Sequence, residues 1–343
     1  MTDIIPGTSS DRGLTIITPS RLHFGLIDLN GEYGRVDGGS GISLTDPCWK
    51  LEFKPSSKFS FDTNGLIESE LLDTLGINRI FKAFDHLDHK CTVDCKASIP
   101  PHSGLGSHTQ LSMALVRGIT ELNGLKLNED DLIRMSGRGG TSGIGIRTFL
   151  KGGFICDLGH SFGPDGEKQS FLPSSRSNPT NPPPVLLNYA VPTNWYFIIA
   201  LPNVFQGASG TKEVDIFQEY CPVPSSEVGE VSRILLMKVL PGILQQDIHS
   251  FGKGLSLLQR TGFKKIEIEL QDPLIKELLI EAEKNRAAGT GMSSFGPATY
   301  ALTDTFVQAG KIKDKFRSVM DKGPGGAVII SGPNNTGAEL IFE

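Results

Sequence analysis

No stretch of this chain reaches the ~20 consecutive apolar residues that cross a bilayer, so a membrane-spanning helix is not expected. The N-terminus lacks the basic patch and apolar run of a secretory signal, which points to a cytoplasmic protein with no membrane partner. Cysteine is sparse. Cys48, Cys91, Cys95, Cys156 and Cys221 form an odd set, which excludes a disulfide framework. Cys91 and Cys95 make a CxxxC pair with no second pair at metal-site spacing, so two thiols on a short strand are preferred to a structural zinc. An excess of positive charge is also missing. A net charge of -5 argues against a general nucleic-acid binder but leaves room for a phosphorylated substrate, which a few cations and backbone N–H groups can hold. What is present is an ordinary globular composition, 38% hydrophobic and 21% charged, in 343 residues, enough for two domains.

Residues 1–13 read as a polar leader. Leu14–Thr18 and Leu22–Leu29 read as strands broken by Pro19-Ser20, with Asn30-Gly31 as a turn. Gly38 to Gly41 is too glycine-dense for regular structure and suggests closely packed backbone. Trp49–Phe53, Thr92–Ile99 and Gly152–Leu158 are further strands, with a helix near Leu71–Leu87. Leu111, Leu115, Ile119 and Leu122 recur at helical spacing, and Ser107 with Gln110 reads as a capping box. From Phe162 to Pro192 the density of proline forbids a helix, and the boundary between domains 1–170 and 171–343 is placed there. A helix from Pro273, capped by Asp272 and stopped by Gly289, precedes closing strands at Ala298–Thr303, Ala327–Ser331 and Glu339–Phe342. The fold class is mixed α+β.

Pro101-His102-Ser103-Gly104-Leu105-Gly106-Ser107 follows a strand and runs into a helix. Glycines let backbone approach a ligand, and free N–H groups at the helix start favour an anion, although a plain tight turn gives the same pattern. This segment resembles the phosphate motif of the GHMP superfamily (galactokinase, homoserine kinase, mevalonate kinase, phosphomevalonate kinase). Pro19 to Leu26 and Gly289 to Pro297 are similar to its other two motifs, in the same order. The runs SRLHFGLIDLNG (Ser20 to Gly31), GRVDGGSGISL (Gly34 to Leu44), HSGLGSHTQ (His102 to Gln110) and GRGGTSGIGIRTFLKGGFICDLGH (Gly137 to His160) are similar to β-ribofuranosylaminobenzene 5'-phosphate synthases. Where many GHMP kinases carry Ser-Gly-Ile-Asp, Ser142-Gly143-Ile144 is followed by Gly145, which cannot serve as base, and this argues against a kinase.

The resemblance implies a ribosomal-protein-S5-like N-terminal domain, a ferredoxin-like C-terminal domain and a site between them. It further implies a pentosyltransferase that joins phosphoribosyl pyrophosphate to 4-hydroxybenzoate or 4-aminobenzoate, releasing pyrophosphate and carbon dioxide, in methanopterin biosynthesis. Mg²⁺ would bridge the pyrophosphate oxygens, with metal ligands unassigned, and a homodimer is the expected assembly. An ATP-dependent small-molecule kinase is the alternative; a catalytically dead binding protein is the third reading.

The candidate catalytic residues are Arg21, His23, Arg138 and Asp157. Arg21 and His23 alternate about Leu22, so both face one side, either the site or solvent. Arg138 and Arg147 flank a Gly/Ser-rich loop and suit bidentate phosphate binding, Arg147 with a helix surface as its other reading. Asp157 and His160 could hold Mg²⁺, handle a proton, or pair at a strand end. Asp28 could serve the site or cap its turn, and Arg35 with Asp37 could form a local ion pair. The candidate substrate and phosphate contacts are Ser103, Gly104, Leu105, Gly106, Ser107, Gly139, Gly140, Thr141, Ser142, Gly291, Ser293 and Ser294. Lys264-Lys265 reads as ordinary surface.

Overall fold

The computed structural model describes residues 13–173, 177, 181–204 and 211–343, so most of the polar leader lies outside the described residues. The strands are β1 (Leu14–Asp28), β2 (Arg35–Ser56), β3 (Ser60–Asp62), β4 (Lys90–Ala97), β5 (Phe154–Asp157), β6 (His160–Ser161), β7 (Val185–Tyr189), β8 (Tyr196–Pro202), β9 (Gly289–Met292), β10 (Thr299–Thr303), β11 (Gly326–Ser331) and β12 (Glu339–Phe342). The first sheet runs β12-β1-β2-β4-β3, with β5 and β6 also on β2, and β7 on β5. The second runs β11-β8-β10-β9, antiparallel throughout.

β1 and β2 form the spine of the site. Pro19 does not break β1 in two. The strand runs on through a register shift between Thr18 and Ser20, where the ladder has no need of an N–H from proline. Gly38 to Gly41 lies inside β2, although Gly38 leaves strand geometry with a left-handed φ of 65°. Tertiary packing overrides glycine's poor strand propensity here: a Cβ on Gly39 would lie 3.1 Å from the His23 ring nitrogen. Gly39 thus makes room for the imidazole of β1, while Gly41 lets Leu22 O and Ile144 come close.

The helix Ser107–Leu122 buries Leu111, Leu115 and Ile119 against the first sheet, as their spacing predicts. The expected capping box is absent. Gly106, left-handed at φ 83°, occupies the cap, while Ser107 Oγ donates to Ile99 O at 2.9 Å and Gln110 Nε2 to Gly145 O at 2.7 Å. The helix expected near residues 71–87 is interrupted at Gly76 (φ 73°), giving Ser69–Thr74 and Ile77–Ala83. Asp272 does cap the helix Pro273–Lys284, but Gly289 is not its stop: that helix ends at Asn285, and Gly289 opens β9.

The two halves share one core. Phe24 of β1 and Phe154 of β5 meet Phe251 edge-on, with ring centroids 6.2 and 5.7 Å apart, and Trp195 lies 5.1 Å from the same ring. The first sheet also reaches beyond residue 170: β7 follows the proline-rich segment and pairs β5, and β12 returns to pair β1. Residues after the boundary drawn from composition therefore help to build the sheet that carries the site.

Candidate functional site

The two glycine-rich turns meet. Ser293 Oγ donates to Gly104 O at 2.6 Å and accepts from His23 N at 2.9 Å. Ala298 N donates to Ser103 O, and Ser294 N to His23 O, both at 3.0 Å. Arg21 N donates to Leu105 O at 3.0 Å, and the Arg21 guanidinium also donates to Gly104 O. Only glycine fits at 104: its φ is 84°, and a Cβ there would stand 2.3 Å from Ser293 O. β1, the turn 101–106 and the turn 293–297 are thus one hydrogen-bonded unit at the start of the helix Ser107–Leu122, where first-turn N–H groups and the helix dipole favour an anion.

Cations gather around this unit. Burial, with Arg138 nearby, lowers the Arg21 pKa to about 10, and burial beside Arg79 does the same for Arg138. Arg79 Nη2 donates to Ser136 O at 3.1 Å and Arg138 Nε to Thr109 Oγ1 at 3.1 Å. Among the described residues no carboxylate lies within ion-pair distance of Arg21, Arg79 or Arg138. Guanidinium groups brought together without counter-charge repel one another unless an anion joins them. His108, desolvated and beside Arg138 and Arg79, has its pKa lowered to about 3 and is neutral. Lys264 is not surface, as Lys264-Lys265 suggested; it is 4% exposed, ion-paired with Glu267, and donates to Ser294 O at 2.7 Å. Arg79 and Lys264 were missed because nothing in their local sequence distinguishes them from solvent-facing helix positions.

On the other side of His23 lies an acid–base group. His23 Nε2 is 3.3 Å from Ser142 Oγ, which is 3.5 Å from Asp157 Oδ2. Burial, then Arg21 and Lys264, hold the His23 pKa well below the usual imidazole range. Burial raises Asp157 to about 7 despite hydrogen bonds from Gly159 N at 3.1 Å and Gly143 N at 2.9 Å. Asp157 and His160 do not pair with each other. His160 Nδ1 is 3.1 Å from Asp37 Oδ2, and Lys168 Nζ reaches the same oxygen at 2.8 Å. The expected Arg35–Asp37 pair is therefore not formed, and Arg35 instead donates to the carbonyls of Leu158 and Gly159.

The remaining candidates divide. Ser103, Gly104 and Gly106 lie on the turn itself. Leu105 is fully buried, and the Ser107 hydroxyl is committed to Ile99 O. Gly139, Gly140, Thr141 and Ser142 form the loop beside Arg138, but Thr141 faces Ser177 at 2.7 Å, away from Ser142. Gly291 is inside β9 with Tyr300 and Gln259 against it, apart from the turn that Ser293 and Ser294 form. Asp28 Oδ1 accepts from Asn30 N and Gly31 N, which gives it the turn-capping role. A cavity of about 680 Å³ opens beside Arg138, lined also by Arg134, Arg147, Ile133 and Pro182 to Pro184. Arg147 is ion-paired there with Glu129 at 3.1 Å. Gly145, which follows Ser142-Gly143-Ile144, packs on the helix Ser107–Leu122; a Cβ would come within 3.1 Å of Thr109.

Comparison with known proteins fixes the family. The chain is 45% identical to β-ribofuranosylphenol 5'-phosphate synthase of Methanothermobacter thermautotrophicus, over 96% of this chain and 98% of that one. It is 39% identical to the synthase of the same name from Methanocaldococcus jannaschii, over 95% and 100%. The chain belongs to the β-ribofuranosylphenol 5'-phosphate synthase family. Residues 76–153 match the GHMP kinases N terminal domain and residues 239–322 the GHMP kinases C terminal domain. Among solved structures, homoserine kinase from Cytophaga hutchinsonii superposes with a TM-score of 0.64 at 17% identity, over 99% of this chain and 100% of that one. A mevalonate kinase of L. major in complex with R-mevalonate gives 0.65 at 11%, over 98% and 100%. The GHMP fold is thus common to this synthase family and to kinases. No helix among the described residues is long and apolar enough to cross a membrane.

Proposed function

We propose that the protein is a pentosyltransferase that joins phosphoribosyl pyrophosphate to a para-substituted benzoate, releasing pyrophosphate and carbon dioxide, within methanopterin biosynthesis. One observation carries the placement of the substrate: Arg21, Arg79 and Arg138 stand together at a glycine-lined helix start, and among the described residues no carboxylate lies within ion-pair distance of them. A diphosphate supplies the missing charge. As the ribose C1–oxygen bond breaks, negative charge grows on the departing pyrophosphate, where preorganised guanidinium and N–H donors lower the barrier. The aromatic carbon that bears the carboxylate attacks C1, and loss of carbon dioxide restores the ring. No nucleophile of the protein is needed. The phenol in the relatives' name favours 4-hydroxybenzoate over 4-aminobenzoate as acceptor.

Magnesium enters this reading as the counter-ion that the diphosphate brings with it. Among the described residues no three His, Cys, Asp or Glu side chains cluster, so no all-protein cage for the ion is proposed. Asp157 already accepts from Gly143 and Gly159, and Asp37 holds His160 and Lys168. The proposed setting is the cytoplasm and the proposed assembly a homodimer, which sedimentation equilibrium tests. The reaction is tested with phosphoribosyl pyrophosphate and carboxyl-labelled 4-hydroxybenzoate. Labelled carbon dioxide and pyrophosphate in equal amounts are expected. Turnover of ATP with an added alcohol, and no carbon dioxide, would favour the kinase alternative.

A further inference from the structure

The chemistry just proposed has a proton to place. When the ring carbon of a 4-hydroxy acid attacks ribose C1, the ring becomes a dienone and the para-hydroxyl must lose its proton. When carbon dioxide departs, the electron pair of the broken C–C bond flows back to that oxygen, which needs the proton again. No group that the diphosphate engages can do this, because Arg21, Arg79 and Arg138 remain charged.

We infer that Ser142 is a catalytic residue that carries this proton, passing it to Asp157 and back. The inference rests on the proposed reaction. Its geometric basis is the set of groups around one oxygen. Ser142 Oγ accepts from Ile144 N at 3.2 Å, leaving one lone pair for a substrate hydroxyl. Its single hydrogen can go to Asp157 Oδ2 at 3.5 Å or, in the tautomer that leaves Nε2 bare, to His23 at 3.3 Å. Ser142 is half-buried whereas Asp157 is fully enclosed, so the hydroxyl is the path by which the carboxylate meets a ligand. Pro183, on the wall of the cavity beside Arg138, lies 3.0 Å from where a Cβ of Gly143 would stand, which sets a proline ring against the residue that follows Ser142.

The two acceptors differ in basicity. His23 is desolvated and faces Arg21 and Lys264, so it stays neutral. Asp157, at about 7, can both take and return a proton near neutral pH. The charged and titratable groups that face it are Asp37 from β2, His160 from β6 and His23 through Ser142; Lys168 balances Asp37. In the forward step Ser142 takes the phenolic proton as its own moves to Asp157, the C1–carbon bond forms, and pyrophosphate leaves with the electron pair of the C1–oxygen bond. In the second step the carboxylate leaves as carbon dioxide and Asp157 returns the proton through Ser142 to the oxygen. The relay ends as it began.

The test compares Ser142→Ala, Ser142→Thr and Asp157→Asn with wild type, using 4-hydroxybenzoate and 3,5-difluoro-4-hydroxybenzoate, whose phenol is more acidic. Ser142→Ala should lower kcat by about 10²–10⁴-fold with little change in KM for phosphoribosyl pyrophosphate, and Ser142→Thr should recover most of it. The deficit should shrink by about tenfold or more with the fluorinated acceptor, which needs less help to ionise. The acid limb of the wild-type pH profile, set near 7, should vanish in Asp157→Asn. If Asp157→Asn does not fold, the alanine variant decides alone. An alanine variant as active as wild type, or one with the same deficit on both acceptors, overturns the relay while leaving the transferase standing. A wild-type chain that makes no labelled carbon dioxide overturns the transferase and the relay with it.

Discussion

The two sides of the site are built on opposite electrostatic plans. On the Gly104 side, guanidinium groups and backbone N–H donors converge with no acid among the described residues to answer them, which leaves charge for a ligand to complete. On the Asp157 side every charge is answered within the protein: Asp37 by Lys168 and His160, and Asp157 by backbone donors and a raised pKa. The first plan suits an anion that arrives and leaves. The second suits a proton that moves and returns. β1 joins them: Arg21 holds the Gly104 turn, and His23, two residues on, meets Ser293 through its backbone and Ser142 through its ring.

The largest expected effect removes the buried lysine that buttresses the Ser294 turn. Lys264→Met leaves Glu267 buried without its partner and frees Ser294, and should destabilise the chain by about 3–5 kcal/mol in urea unfolding. Replacing Glu267 with leucine as well should recover most of that loss. Next, Arg138→Ala should reduce kcat/KM by about 10²–10³-fold at unchanged stability, as removal of a donor to developing charge does; Arg138→Lys should not restore it, having no planar fork. Gly104→Ala should cost roughly 1–3 kcal/mol in thermal unfolding and disturb both sides, because the new methyl strikes Ser293 O. The smallest effect concerns pH. The Asp157 pKa is raised in the folded state from 3.8 to about 7, so its contribution to stability is complete below about pH 4 and is lost as pH rises through about 7. Wild-type Tm should therefore fall relative to Asp157→Asn between about pH 5 and 8, and parallel curves would contradict the shift.

The Gly104 side was the more legible. Arg21, His23 and the run from Pro101 to Ser107 could be read because alternation on a strand and a glycine turn before a helix are local patterns. Ser107 and Gln110 misled for the same reason: a capping box is also a local pattern, yet Gly106 took the cap and both side chains found distant carbonyls. Lys264 was illegible because its burial depends on the turn at Ser294, thirty residues on. The strand through Gly38 to Gly41 was hidden because Gly39 answers to the His23 ring on β1 and Gly41 to Leu22 O and Ile144. Lys168 and Asp37 are 131 residues apart, and no sequence period joins them. The boundary at residue 170 followed composition, whereas β7 and β12 follow hydrogen bonding.

The central claim is that uncompensated guanidinium groups at the Gly104 turn hold the diphosphate of activated ribose. Calorimetric titration of phosphoribosyl pyrophosphate, without acceptor, into wild type and into an Arg21→Ala/Arg138→Ala chain shown to be folded tests it most directly. The account predicts saturable binding to wild type, weakened about 10²-fold or more in the double variant. Equal affinity in the two chains would contradict it.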